Sequence, residues 1–165
     1  MKIGIISDTH NFLPDTAERY LKKCDEIWHA GDIGSLDLLN KIKNISFTRA
    51  VSGNIDGEIV RNEINEFEFF KIKNIKILII HIAGKIKVYN AKTRNLIRKN
   101  KPDVLVCGHS HILKVANDKK FNLLYINPGA AGKIGFHREK TMIIFNIKKR
   151  IEDLQVIKLD KLIIL

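Results

Sequence analysis

The chain has 165 residues, 45% of them hydrophobic and 28% charged, which suits one domain with a real core and is too few for two ordinary ones. That mixture excludes a disordered or fibrous chain, and no apolar run approaches the ~20 residues that span a bilayer, so no membrane partner is expected. The formal net charge of +11 favours phosphate-bearing partners, but the lysines are dispersed in singles and pairs such as Lys22-Lys23 and Lys119-Lys120, so specific nucleic-acid binding is not expected.

The start, Met1 to Asp8, meets a carboxylate before a secretory core could form, which points to the cytoplasm. Cys24 and Cys107 fit neither a disulfide framework nor a C-x-x-C metal knuckle and read as small buried hydrophobes. Residues 2 to 7 read as a strand. Pro14 opens a helix through Cys24 that carries Ala17, Tyr20, Leu21 and Cys24 on one face. A second strand is predicted near Glu26 to Ala30, then a helix capped by Ser35 with Leu36, Leu39 and Ile42 inward, then a third strand near Phe47 to Val51. This is the rhythm of β-α-β units and a largely parallel sheet.

Strands 67 to 72 and 75 to 80 meet at the polar Lys73-Asn74 as a hairpin. A helix near 89 to 100 ends before Lys101-Pro102, because proline cannot continue it, and a strand follows at 103 to 107. Runs near 112 to 117, 121 to 126, 141 to 147 and 151 to 159 predict an antiparallel tail. The two halves are expected to form the two sheets of one layered domain covering 1–165, with helices outside.

Against those strands, Asp8 and His10, Asp32, Asn54, His81, and His109 and His111 all follow an apolar run. Ligands of open α/β sheets bind outside the carboxyl ends of strands, so five such loops can build one site. Carboxylate, imidazole and amide oxygen suit borderline divalent metals, whereas an all-oxygen set suits magnesium or calcium. Seven such groups exceed the needs of one ion, and two ions roughly 3.5 to 4 Å apart are the economical reading. Glycines in Gly31-Asp32, Gly53-Asn54 and Gly108-His109 let the loops turn beside a crowded centre. The two-residue spacing of Asp8 and His10, and of His109 and His111, would put each pair on one face if its strand continued. Each residue alone has a bland reading as a helix cap, a turn or a surface histidine; together they favour metal. His29 reads as a packed histidine or one that supports a ligand from behind, and His137, beside Arg138, as a weaker candidate for substrate contact.

Asp8-Thr9-His10, Gly31-Asp32, Gly53-Asn54-Ile55-Asp56, His81 and Gly108-His109-Ser110-His111 resemble, in order and spacing, the calcineurin-like metallophosphoesterase superfamily. Within it, the short length, the Gly-Asn-x-Asp form and Ile126-Asn127-Pro128-Gly129 are similar to the YfcE-type phosphodiesterases, with Vps29 as a relative. The resemblance implies an α/β fold, a β-sandwich of two mixed sheets flanked by helices in four layers, α/β/β/α. It also implies a phosphodiesterase acting on a small phosphodiester or nucleotide-like substrate. In its terms Asp8, His10, Asp32 and His111 hold one ion and Asp32, Asn54, His81 and His109 the other, with Asp32 the bridge. A hydroxide between the ions attacks phosphorus in line, and Asn54 helps to stabilise the charge that develops. Manganese or nickel is expected first, with iron, cobalt and zinc also accepted. Two alternatives stand beside the enzyme: a Vps29-like protein-binding scaffold, and a nuclease of the same superfamily. A homo-oligomer is left open. Many members read Gly-Asn-His-Glu where this chain has Gly53-Asn54-Ile55-Asp56, and Ile55 cannot protonate a leaving oxygen.

Overall fold

The computed structural model describes residues 1–159. In chain order the elements are β1 (Lys2–Ile6), α1 (Asp15–Leu21), β2 (Glu26–His29), α2 (Leu36–Lys43), β3 (Phe47–Ala50), α3 (Glu58–Glu63) and β4 (Phe67–Ile72). Then follow β5 (Ile75–Ile80), α4 (Ala91–Asn100), β6 (Val104–Val106), β7 (Lys114–Asp118), β8 (Leu123–Asn127), β9 (Thr141–Ile147) and β10 (Ile151–Lys158). They form two five-stranded sheets, ordered β10-β9-β1-β2-β3 and β4-β5-β6-β8-β7. Both are mixed: β1-β2-β3 and β5-β6-β8 run parallel, while β9 and β10, and β4 and β7, pair antiparallel.

Strand alternation builds the layers. Ile3 and Ile5 meet Trp28, Ile77, Ile79, Val104, Val106, Ile143 and Phe145 between the sheets. The opposite face of the first sheet, with Ile6, Ile27, Met142 and Ile144, packs on Ala17 and Leu21 of α1 and Leu39 and Ile42 of α2. Leu78, Ile80, Leu105 and Tyr125 likewise turn outward, against Ile97 of α4. A period of two on strands buried on both faces therefore gives four layers, helix, sheet, sheet, helix. The expected Ser35 cap forms, with its Oγ accepting from Leu38 N at 3.2 Å, and α4 is capped by Asn90, whose Oδ1 accepts from Thr93 N at 2.8 Å.

Three expectations need correction. The halves of the chain are not the two sheets, because β9 returns to lie beside β1 in the first sheet. Its physical reason is burial: Ile143 and Phe145 face one core while Met142 and Ile144 face another, so β9 needs cover on both sides. Nor is the tail wholly antiparallel, since β8 runs parallel to β6. Helix α3 was not predicted; only Val60 of its six residues is buried, which leaves no apolar period to read. Among the described residues no helix is long and apolar enough to cross a membrane.

Parallel pairing also fixes where the site can be. The carboxyl ends of β1, β2 and β3 lie side by side, as do those of β5 and β6, and the loops leaving them carry all seven candidate donors.

Candidate metal centre

The loops leave their strands with left-handed backbone at five of the candidate donors: Asp8 (φ 54°), His10 (φ 44°), Asp32 (φ 56°), His109 (φ 66°) and His111 (φ 57°). The strands do not continue, so the shared-face geometry expected for Asp8 with His10 and for His109 with His111 is replaced by sharp reversals. Such backbone costs on the order of 1 kcal/mol per residue and persists where surrounding structure dictates it. Here the loops are bonded to one another: Asp8 N donates to Gly31 O (2.9 Å), His10 N to Asp32 O (3.0 Å), Asn11 N to Ile33 O (2.7 Å) and Gly132 N to Asp8 O (3.0 Å).

The side chains converge as two clusters, Asp8 with His10 and His111, and Asp32 with His81 and His109, the potential ligand atoms within each lying within 4.8 Å of one another. Asp32 stands between them. Its Oδ2 is 3.7 Å from His10 Nε2, and its Oδ1 is 3.2 Å from His81 Nε2. Asn54 joins the second cluster, with Oδ1 3.2 Å from His81 Nε2. His111 Nε2 lies 3.3 Å from Asp8 Oδ1, and both Asp8 oxygens accept from His109 N at 3.2 Å. Gly53 is required by this crowding, since a β-carbon there would sit 2.0 Å from Asp32 Oδ1.

The donors fit divalent ions. Each cluster combines two imidazoles with one carboxylate, a mixture that borderline metals accept. His10 Nε2 is buried without a hydrogen-bond partner, a cost that coordination would remove. Charge is shared accordingly. Burial pushes the Asp32 carboxyl upward, but the His81 ring and the Ile55 N–H outweigh it and hold the carboxyl below its ordinary value. Burial opposes protonation of His81, yet Asp32 and Asp8 raise it, and the Asp8 hydrogen bond raises His111.

A family model described as the calcineurin-like phosphoesterase superfamily domain matches residues 1–150. The chain belongs to that superfamily. A probable metallophosphoesterase of Methanocaldococcus jannaschii is 35% identical over 140 residues, covering 79% of this chain and 68% of that protein. A solved archaeal phosphodiesterase superposes with a TM-score of 0.76 at 28% identity, over 96% of this chain and all of its own. Zinc-complexed Vps29 of Entamoeba histolytica shares the fold, with a TM-score of 0.72 at 16% identity over 97% of this chain and 100% of that one.

Several residues behind the superfamily motif tie its loops together, and of these His29 was the one read from sequence as packed or supporting a ligand from behind. Gly31 N donates to His29 Nδ1 (3.1 Å), so His29 Nε2 carries the proton and donates to Thr9 Oγ1 (2.9 Å), and that hydroxyl donates to Ile33 O (3.1 Å). The Asp8–His10 loop is thereby tied to the Asp32 loop through a fully buried imidazole, whose burial lowers its pKa to about 4. Asp56 accepts from Gly34 N and Gly53 N, both at 2.8 Å, fastening the loops of Asp32 and Asn54 together. Arg61 then grips the second loop, donating to Asp56 O (2.6 Å) and Gly53 O (2.5 Å). Asn127 Nδ2 donates to Gly108 O (2.8 Å) and Ser110 Oγ (3.1 Å), which steadies the turn that carries His109 and His111. For the rest, the Asp56 carboxylate inside a Gly-Asn-x-Asp string was the signal present, since a short acidic side chain beside glycines is a frequent acceptor for loop amides.

Proposed function

We propose that the chain is a divalent-metal-dependent phosphodiesterase in which Asp8, His10, Asp32 and His111 hold one ion and Asp32, Asn54, His81 and His109 hold a second. The observation that carries this reading is the position of Asp32, whose Oδ2 lies toward His10 and whose Oδ1 lies toward His81, one oxygen for each cluster. When bound, manganese or nickel would supply positive charge at the phosphoryl oxygens and lower the pKa of water at neutral pH. The chain's own part is to hold and orient. Asp32 acts as the shared catalytic carboxylate. Asn54 is exposed at the mouth, and with Oδ1 turned to His81 its amide N–H₂ is the donor available to a non-bridging oxygen of substrate.

Space for the ester arms lies on two sides. One cleft of about 280 Å³ is lined by Asn54, His81, Arg61, Ile82 and Lys92, and another of about 440 Å³ by His109, His111, Ile112 and Phe136. Both pair apolar surface with cations or imidazoles, which suits a small phosphodiester or nucleotide-like substrate. Ile55 is 45% exposed beside Asn54 and offers no proton, so good leaving groups are favoured over poor ones. A Vps29-like scaffold would share the fold, and one Vps29 is solved with zinc; the full set of seven donors together with relatives described as a metallophosphoesterase and a phosphodiesterase favours the enzyme. Residues 1–165 act in this reading as one domain.

The test is hydrolysis of an activated aryl phosphodiester by chelator-stripped protein. Activity should vanish on stripping and return with manganese or nickel; full activity in protein shown by elemental analysis to be metal-free would refute the reading.

A further inference from the structure

The loop of residues 132–140 joins β8 to β9 and folds over one side of the metal centre. Gly135 (φ 130°) passes so close that a β-carbon there would lie 2.1 Å from His111 Nδ1 and 3.0 Å from His137 Nδ1. The two imidazoles meet edge on, with ring centroids 5.2 Å apart and Nδ1 to Nδ1 at 3.2 Å. His137 Nε2 is 3.1 Å from Gly132 O.

With His137 neutral, these contacts set the direction of the hydrogen bond between the two rings. A backbone carbonyl only accepts, so His137 Nε2 must carry hydrogen and the Nδ1 of that neutral ring is a lone pair. The lone pair can accept only from His111 Nδ1–H. His111 Nε2 is then the nitrogen turned to Asp8, 3.3 Å from its Oδ1, where a proton shared with that carboxylate and a metal ion are alternatives. The reverse arrangement would set the His137 Nε2 lone pair against that of Gly132 O. His81 reaches the same tautomer by another route, donating from Nδ1 to Ala30 O at 2.7 Å. Both nitrogens of His137 are engaged, so its ring, weighed from sequence as a weaker candidate for substrate contact, lines the adjoining cleft while its hydrogen bonds go to His111 and Gly132.

We propose that His137 is a positioning residue: by accepting from His111 Nδ1–H it locks the ring and presents the Nε2 lone pair to the ion beside Asp8. The proposal rests on the metal reading above. Groups that fix a ligating imidazole from behind are typically worth ~10- to 100-fold in metal affinity. His137→Leu keeps bulk but removes the acceptor. His137→Asn places its Oδ1 near the position of Nδ1 and restores it.

Two measurements test this on the full chain, with near-ultraviolet circular dichroism to confirm folding of each variant. In metal-free, 15N-labelled protein, two-bond proton–nitrogen correlation spectra report the tautomers directly. Wild type should show hydrogen on His111 Nδ1 and His137 Nε2, and His137→Leu should shift His111 toward the Nε2–H form. Titration with manganese alone, read by the spin-resonance signal of free ion, should show one bound ion weakened ~10- to 100-fold in His137→Leu with the other unchanged, and substantial recovery in His137→Asn. Undiminished affinity for both ions in His137→Leu, or an unchanged His111 tautomer, overturns the proposal. Failure of wild type to bind manganese or any other divalent ion overturns the metal reading instead, and the tautomers in the same metal-free sample still decide the role of His137.

Discussion

The two halves of the metal centre use the same chemistry and are built differently. In the cluster of Asp32, His81 and His109, His109 is exposed but His81 is anchored by the scaffold: it follows directly from β5, its ring is 2% exposed, and a backbone carbonyl, Ala30 O, holds its Nδ1. In the cluster of Asp8, His10 and His111, His111 is 15% exposed and is held by another side chain, His137, from a loop. Backbone partners move only with the fold, whereas a side chain on a loop can be lost by one substitution. The first cluster is therefore coupled to overall stability, and the second to the integrity of residues 132–140.

The largest expected effect would erase the difference, since Asp32 of one cluster also lies 3.7 Å from His10 of the other and is proposed to serve both. Asp32→Asn should lower turnover by more than the ~10²-fold typical of losing one electrostatic contact to a transition state, and should reduce the content of both ions. Elemental analysis and kinetics check it separately. Wild-type turnover with full metal content would deny Asp32 its shared place.

The next comparison separates the clusters. His81→Ala removes a buried ring and its hydrogen bond to Ala30 O, so it should destabilise even the metal-free protein, by roughly 1 to 3 kcal/mol. His10→Ala should leave metal-free stability nearly unchanged, because His10 Nε2 has no hydrogen-bond partner to lose. Denaturant unfolding in the presence of chelator measures both. Equal losses would mean that the scaffold supports the two clusters alike.

His29 makes the coupling between loops visible through pH. Its folded pKa is lowered by burial from 6.5 to about 4, so between those values the unfolded chain binds a proton that the folded chain refuses. Its neutral form therefore contributes fully above pH 6.5, and stability falls as pH drops toward 4, by up to roughly 3 kcal/mol. Metal-free wild type should lose more stability across that window than metal-free His29→Gln, and parallel profiles would remove His29 from the account.

Much of this was legible in the sequence because parallel strands leave a signature: short apolar runs, each ended by a polar donor, with glycine alongside. Asp8, Asp32, Asn54, His81 and His109 could be aligned at strand ends without coordinates. What stayed hidden depends on non-local pairing. The place of β9 beside β1 was masked because a strand buried on both faces reads the same in either sheet. The Gly31–His29–Thr9–Ile33 chain and the His111–His137 pair join positions that are separated along the chain, and no local period marks them. Left-handed backbone at His10, His109 and His111 was equally silent, since a histidine does not mark such a position as glycine does.

The smallest expected effect concerns Ile55. Replacing it with histidine supplies a proton donor, but the Asp56 oxygens accept from Gly34 N and Gly53 N, which holds that carboxylate toward the loop amides. Ile55→His should fall well short of the ~10²- to 10⁴-fold that a positioned acid gives with poor leaving groups. Plots of log rate against leaving-group pKa should run nearly parallel for wild type and variant; a much shallower slope in the variant would show that Asp56 is free to help.

The central claim is that two clusters share Asp32 and each holds an ion. Anomalous diffraction from crystals grown with manganese tests it most directly. Two peaks roughly 3.5 to 4 Å apart, flanking Asp32, with His111 on one and His81 on the other, are the predicted result. A single peak, or a second one with Asp32 outside its coordination sphere, would contradict it.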